Sequence, residues 1–239
     1  MIPTDPADIW GNAISMGNAE LAAVLTPVKR FDRRGSVLWW TSFEDGLAQV
    51  SAGTDGVGAD VYPSAAEAKS GAYSVKLIGG SDGTKWASVL KSLSYTKLGL
   101  VGFESGVLVN TTVDYIQWSI IHWDGTAGKQ YTIQWTPSTE TLVYIDSASA
   151  PQTISTDVPY VASGSLWNLV KLVVDIENDV YERVLFDDQL FPLTNIAGEP
   201  YAGAGSRFIQ VEAVVISRAA NNDYIWVDDY IVTQNEPAN

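Results

Sequence analysis

Carboxylates pose the first chemical questions in this chain. Phe43-Glu44-Asp45-Gly46 closes an apolar run near the start, and Val227-Asp228-Asp229-Tyr230 interrupts one near the end. If these runs are the first and last strands of one sandwich, their carboxylates can meet around a cation. A second set, Asp175, Glu177 and Asp179, alternates along the sequence. On one strand these three share a face, and i,i+2 spacing nearly supplies the roughly 5 Å carboxyl separation of a retaining glycosidase. Asn178 stands where a turn is expected, however, which favours a solvated hairpin. His122 is the only histidine, so no histidine-rich metal site can be assembled around it, and no Ser-His-Asp set is evident in the sequence beside it. Beside Trp123 and Asp124 it reads as a strand-end residue.

Nine tryptophans raise the question of sugar binding, since sugar rings stack on exposed aromatic faces. Trp39, Trp135, Trp167 and Trp226 lie within apolar strands and are expected to fill the core. Tyr115, Trp118 and Trp123 share one long strand, with Trp118 on the opposite face from the other two. Tyr115 and Trp123, with Gln117 between them, are therefore the candidate glycan-binding set. The same pattern also describes an aromatic ladder buried between sheets or under a neighbouring subunit.

Charge is unevenly placed. Residues 1–36 balance Lys29, Arg30, Arg33 and Arg34 against Asp5, Asp8, Glu20 and Asp32, so the net charge of −14 falls on the remainder. An acidic body argues against nucleic acid and anionic membranes. The basic cluster instead suits acidic protein surface, where arginine forks engage carboxylates bidentately. With no cysteine in the chain, disulfides, thiolate catalysis and cysteine-ligated zinc are excluded. Met1-Ile-Pro-Thr-Asp-Pro has neither the basic start nor the apolar core of a secretory signal. No run approaches the roughly 20 apolar residues of a membrane span. The expectation is a chain made in the cytoplasm without a signal peptide.

The elements that position these residues are strands. Strand signals recur between turn signals from Ser36 onward, with breaks at Asp55-Gly56, Gly79-Gly80, Asp82-Gly83, Asp124-Gly125 and Asn221-Asn222. Hairpins are predicted at 122–131, at Pro137-Ser-Thr-Glu140 and at Glu177-Asn-Asp179. The fold class is all-β: an antiparallel two-sheet jelly-roll sandwich over 37–236, behind an extended arm at 1–36. Asn18-Ala-Glu-Leu-Ala-Ala-Val-Leu25 has the cap and apolar stripe of a short helix, which needs a surface to pack on.

Four stretches carry a family likeness: Phe43-Glu44-Asp45-Gly46; Lys69-Ser-Gly-Ala-Tyr-Ser-Val-Lys-Leu77; Trp167-Asn-Leu-Val-Lys-Leu-Val-Val-Asp175 with Tyr181; and Val227-Asp-Asp-Tyr-Ile-Val232. They resemble the jelly-roll domains of carbohydrate-binding modules and of the concanavalin A-like, laminin-G-like group. The resemblance implies a structural Ca2+ tying the first strand to the last. Glu44 and Asp228 would be its side-chain ligands, Asp45 and Asp229 lie beside them, and carbonyls near Lys69–Gly71 would complete the shell. The arm, with Phe31-Asp-Arg-Arg-Gly35, is similar to the openings of predicted phage virion proteins.

The function expected from this reading is non-enzymatic and structural: a virion component such as a capsid decoration or tail-surface protein. Leu21, Leu25, Lys29, Arg30, Phe31, Arg33 and Arg34 would mediate subunit contacts in a homo-oligomer, a trimer by analogy, and with a capsid shell. The alternative is a carbohydrate-binding module attaching to a glycan or host surface.

Overall fold

The computed structural model describes residues 34–81, 84–94, 99–109, 113–159, 166–218 and 222–238. The chain forms β1 (Ser36–Thr41), β2 (Ser51–Asp55), β3 (Ala59–Ser64), β4 (Ser74–Gly79), β5 (Trp86–Ser94), β6 (Leu100–Val109), β7 (Tyr115–Trp123) and β8 (Gly128–Thr136). There follow β9 (Thr141–Ile145), β10 (Pro151–Ser155), β11 (Asn168–Asp175), β12 (Val180–Phe186), β13 (Gln189–Ala197), β14 (Glu199–Tyr201), β15 (Phe208–Ile216) and β16 (Tyr224–Gln234).

Two antiparallel sheets result. One runs β13-β12-β11-β6-β16-β4-β3, with β1 added beside β16; the other runs β10-β9-β8-β7-β15-β5-β2, with β14 added beside β8. The expected pairing of first and last strands is present, Trp40 opposite Ile231 and Thr41 opposite Tyr230. All three predicted hairpins form, joining β7 to β8, β8 to β9 through a 3-10 turn at Pro137–Thr139, and β11 to β12. The helix predicted over 18–25 lies outside the described residues.

Strict alternation builds the core. Ile116, Trp118 and Ile120 of β7, with Tyr131, Ile133 and Trp135 of β8, face Val101, Phe103 and Val107 of β6 and Leu172 and Val174 of β11. Polar handles on these rings are satisfied across the sandwich. Trp118 Nε1 donates to Ser105 Oγ at 2.9 Å, and Tyr181 OH on β12 donates to the Ile145 carbonyl at 2.8 Å and accepts the Thr132 N–H at 2.7 Å. Trp135 sits in this core as expected. Trp226 is buried too, but on the other face of its sheet: it pairs with Lys76, whose ammonium lies over the Tyr224 ring, 3.7 Å from the centroid, and near the Trp226 ring.

Candidate functional site

The alternation that buries Trp118 turns every second residue of the β7 sheet outward, and there most side chains are polar. Cross-strand register aligns them in rows. Leu90, Glu212, Ser119 and Thr132 form the central row, flanked by Ser92, Gln210, Ile121 and Gln130 on one side and Ser88, Val214, Gln117 and Gln134 on the other. Successive rows lie about 7 Å apart.

The side chains orient one another. Gln134 Nε2 donates to Gln117 Oε1 at 3.2 Å, Gln117 Nε2 to Ser119 Oγ at 3.2 Å, and Gln130 Nε2 to Thr132 Oγ1 at 3.1 Å. The Ser119 and Thr132 hydroxyls lie 3.1 Å apart, and Ser92 Oγ donates to Gln210 Oε1 at 3.1 Å. Ser88, Ser119 and Thr132 are buried at the floor, while the glutamines and Glu212 stand half-exposed above them. Burial holds the Glu212 carboxyl above its ordinary range, with Ser88 acting the other way. Such a surface offers donors and acceptors close together with a single charge among them.

Aromatic rows close the face: Trp86, Ile216 and Tyr115 at one end, Ser94, Phe208 and Trp123 at the other. Tyr115 and Gln117 are half-buried on the outward face, where the alternation placed them. Trp123 shares that face but is not presented outward. Only 7% of it is exposed, its Nε1 donates to the Gly205 carbonyl at 3.3 Å, and a Cβ at Gly203 would fall 2.6 Å from its ring. Glycine at 203 lets the backbone roof the indole, so Trp123 is a packing residue and not a stacking platform. Glu212, Gln210, Gln130, Thr132, Gln134 and Ser88 were missed by sequence reasoning, although Gln117-x-Ser119, Gln130-x-Thr132-x-Gln134 and Gln210-x-Glu212 show the period-2 polarity.

The alternating acids do not form a catalytic face. Asp175 Oδ1 accepts the N–H groups of Glu177 and Asn178 at 2.9 and 3.1 Å, and its Oδ2 accepts Asn178 Nδ2 at 2.8 Å. It closes the β11–β12 turn, as the hairpin reading requires. Glu177 and Asp179 therefore leave the strand and line a cleft of about 340 Å³ at the end of the sandwich, together with His122, Asp124, Lys129 and Arg207. Burial lowers the His122 pKa, while Asp179 and Asp124 pull it up.

The carboxylates expected to hold a cation fasten the end of the first strand and the middle of the last to the segment at residues 69–73. A break in register after Asp228, with Asp229 left-handed at φ 51°, turns both neighbouring side chains toward residues 69–70. Asp228 Oδ2 accepts the Lys69 and Ser70 N–H groups at 2.8 and 3.1 Å. Asp229 accepts Ser70 Oγ at 2.6 Å and pairs with the Lys69 ammonium at 2.5 Å. Glu44 Oε1 accepts the N–H groups of Ala72 and Tyr73 at 2.9 and 3.0 Å. Asp45 accepts Gln49 Nε2 at 3.4 Å. Burial, then the Asp229 charge, raises the Asp228 pKa, while three backbone N–H groups lower it. The segment around Lys69 thus offers these carboxylates N–H groups and an ammonium where carbonyls were expected. Among the described residues no three acids and histidines group as metal ligands, and the donor set as arranged does not fit a resident Ca2+.

Lys69→Met should accordingly cost about 2 kcal/mol, the scale of a hydrogen bond to a charged group, and thermal unfolding should be indifferent to EDTA. A melting temperature that drops with EDTA and ignores Lys69→Met would return the site to a metal.

Of the proposed contact residues in the arm, Arg34 alone lies within the described residues. Its carbonyl accepts the Lys171 ammonium at 3.4 Å. Leu21, Leu25, Lys29, Arg30, Phe31 and Arg33 lie outside them.

No protein-family model matches the sequence, and neither does any curated protein. Solved structures do. A carbohydrate esterase from Shiga toxin-encoding bacteriophage phi24B superposes with a TM-score of 0.57 at 14% identity, over 83% of this chain and 98% of that one. The carbohydrate recognition domain of Emp46p in its potassium-bound form gives 0.48 at 10% identity, over 81% and 92%. A carbohydrate-binding module of the β-sandwich superfamily gives 0.47 at 12% identity, over 81% and 60%. The fold is an antiparallel two-sheet jelly-roll sandwich, shared with the bacteriophage esterase. At such identities the likeness is one of fold, and any activity has to come from this chain's own surfaces.

Proposed function

We propose that this domain binds carbohydrate without transforming it, and that the outward face of the β5-β15-β7-β8 sheet is the binding surface. One observation carries the reading: aligned rows of hydroxyl, amide and carboxylate side chains, each row holding one apolar residue (Leu90, Ile121 or Val214), on a face whose reverse is core. A sheet that only needed solvation could carry lysines and glutamates, whose long chains stay mobile. This one carries short and medium polar groups fixed by bonds to each other. A sugar hydroxyl both donates and accepts, so it can replace water against such a surface with little reorganisation. The charge inventory of the rows, Glu212 alone, favours a neutral glycan over an acidic one.

The test is calorimetric titration with soluble neutral and uronic polysaccharides. Neutral chains should bind and uronic ones should not. Gln117→Ala should weaken binding about fivefold, the scale of one neutral hydrogen bond, without lowering the melting temperature by more than a few degrees. Binding that is indifferent to Gln117→Ala and Tyr115→Ala alike would move the site off this face.

The assembly reading rested on the arm, of whose proposed contact residues only Arg34 is described, whereas the glycan reading rests on a surface described in full. The glycan reading therefore takes precedence.

A further inference from the structure

The cleft at the end of the sandwich opens on different residues from the polar sheet face and has a different chemistry. Three turns of chain build it. The β7–β8 turn brings Asp124, whose Oδ1 accepts the N–H groups of Thr126 and Ala127 at 2.7 Å each. The β11–β12 turn brings Glu177 and Asp179, the latter left-handed at φ 58°. The residue just before β15 is Arg207, whose side chain packs 3.6 Å from where a Cβ on Gly125 would stand. His122 lies on the core-facing side of β7, opposite Lys129 on β8 and Ile209 on β15, and is 6% exposed. Asp124, His122, Lys129, Glu177, Asp179 and Arg207 line the cleft, with Ile176 and Gly128 as apolar wall.

We propose that this cleft is a second ligand site, taking a single neutral sugar ring. The argument is charge balance at close quarters. Asp124, Glu177 and Asp179 repel an anion, and Lys129 and Arg207 repel a cation. A neutral polyol meets both sets, because each hydroxyl donates to a carboxylate and accepts from an ammonium or guanidinium. The volume of about 340 Å³ lies at the small end of ligand pockets, enough for one ring and not for a chain. The apolar wall from Ile176 suits the C–H face of such a ring. This site does not depend on the sheet-face reading, since the lining residues of the two are disjoint.

The single histidine gives the cleft its own reporter. With the full chain uniformly isotope-labelled, the ring resonances of His122 would be followed during titration with glucose, galactose and mannose, and with acetate and methylammonium as charged controls. At least one hexose should shift them saturably, and the controls should not. Arg207→Ala and Glu177→Gln, both exposed side chains, should each weaken that response about tenfold, while the response of Ser119 and Thr132 amides to a neutral polysaccharide stays as in the parent. The proposal fails if no hexose moves the His122 ring. It also fails if acetate or methylammonium alone moves it, or if the hexose response survives the double variant. A silent sheet face with a responsive His122 would overturn the other site and leave this one standing.

Discussion

Replacing Glu236 with alanine should unfold this domain more readily than any other single change to its polar groups, by about 3–5 kcal/mol, the usual loss when one partner of a buried ion pair is removed. Lys171 of β11 and Arg183 of β12 stand on the outer face of their sheet, and the chain end folds back over them. Glu236 Oε2 accepts Arg183 Nη2 at 2.6 Å, and Oε1 accepts Lys171 Nζ at 2.8 Å and Thr233 Oγ1 at 2.6 Å. Arg183 is fully buried and its Nη1 donates to the Pro237 carbonyl at 2.6 Å. A guanidinium cannot shed its proton to escape a dry site, so removing the carboxylate leaves a buried charge without this compensation. The loss concerns the fold alone. Urea unfolding of Glu236→Ala, and of a chain ending at Gln234, should show nearly the same decrease, since both delete one cluster. A change below about 1 kcal/mol would mean that solvent reaches these charges.

The same cluster shows why the two ends of the chain matter jointly. Gly35, at φ 83°, passes so close to Glu236 Oε1 that a Cβ there would collide with it. The Arg34 carbonyl meets Lys171 one residue earlier. Arg34 and Gly35 are therefore held against the buried ion pair that the residues after β16 complete.

Sequence periodicity made the sandwich legible because a strand with one buried face repeats every two residues. The placing of Trp118 on the face opposite Tyr115 and Trp123 followed from it directly, while the β1–β16 pairing came from the likeness of the two runs to the first and last strands of a sandwich. What it left hidden are the features that break the period or depend on register. The break after Asp228 swings Asp229 onto the same side as its neighbour, which alternation alone forbids. The glycine at 203 roofs Trp123 from a stretch with no apparent relation to β7. Glu236 lies past the last strand, where nothing in its neighbourhood hints at Arg183. The polar rows were half visible. Each strand shows its own alternation, but only the pairing of Glu212 with Ser119 and of Ser119 with Thr132 turns separate polar residues into one surface.

Glu212→Gln should separate binding from folding on that surface. Burial raises the folded-state pKa of Glu212 above its unfolded value. A carboxyl raised in this way favours the fold at pH below its unfolded pKa and loses that advantage as pH rises through the folded one. Once pH has risen through the folded-state pKa, Glu212 is therefore a liability to stability, and glutamine, which carries no charge to desolvate, should raise the melting temperature above that pH and have no such effect under acid conditions. Binding should move the opposite way. A hydrogen bond to a carboxylate is roughly twice as strong as one to an amide, so a glycan hydroxyl donating to position 212 should lose about tenfold in affinity. A structural glutamate has no reason to give this pair of results, since its replacement would lower stability and leave a ligand indifferent. Thermal unfolding at acid pH and above the folded-state pKa, with calorimetric titration of the same neutral polysaccharide, reads both. A variant that melts lower and binds as the parent does would remove the sheet face as the carbohydrate site.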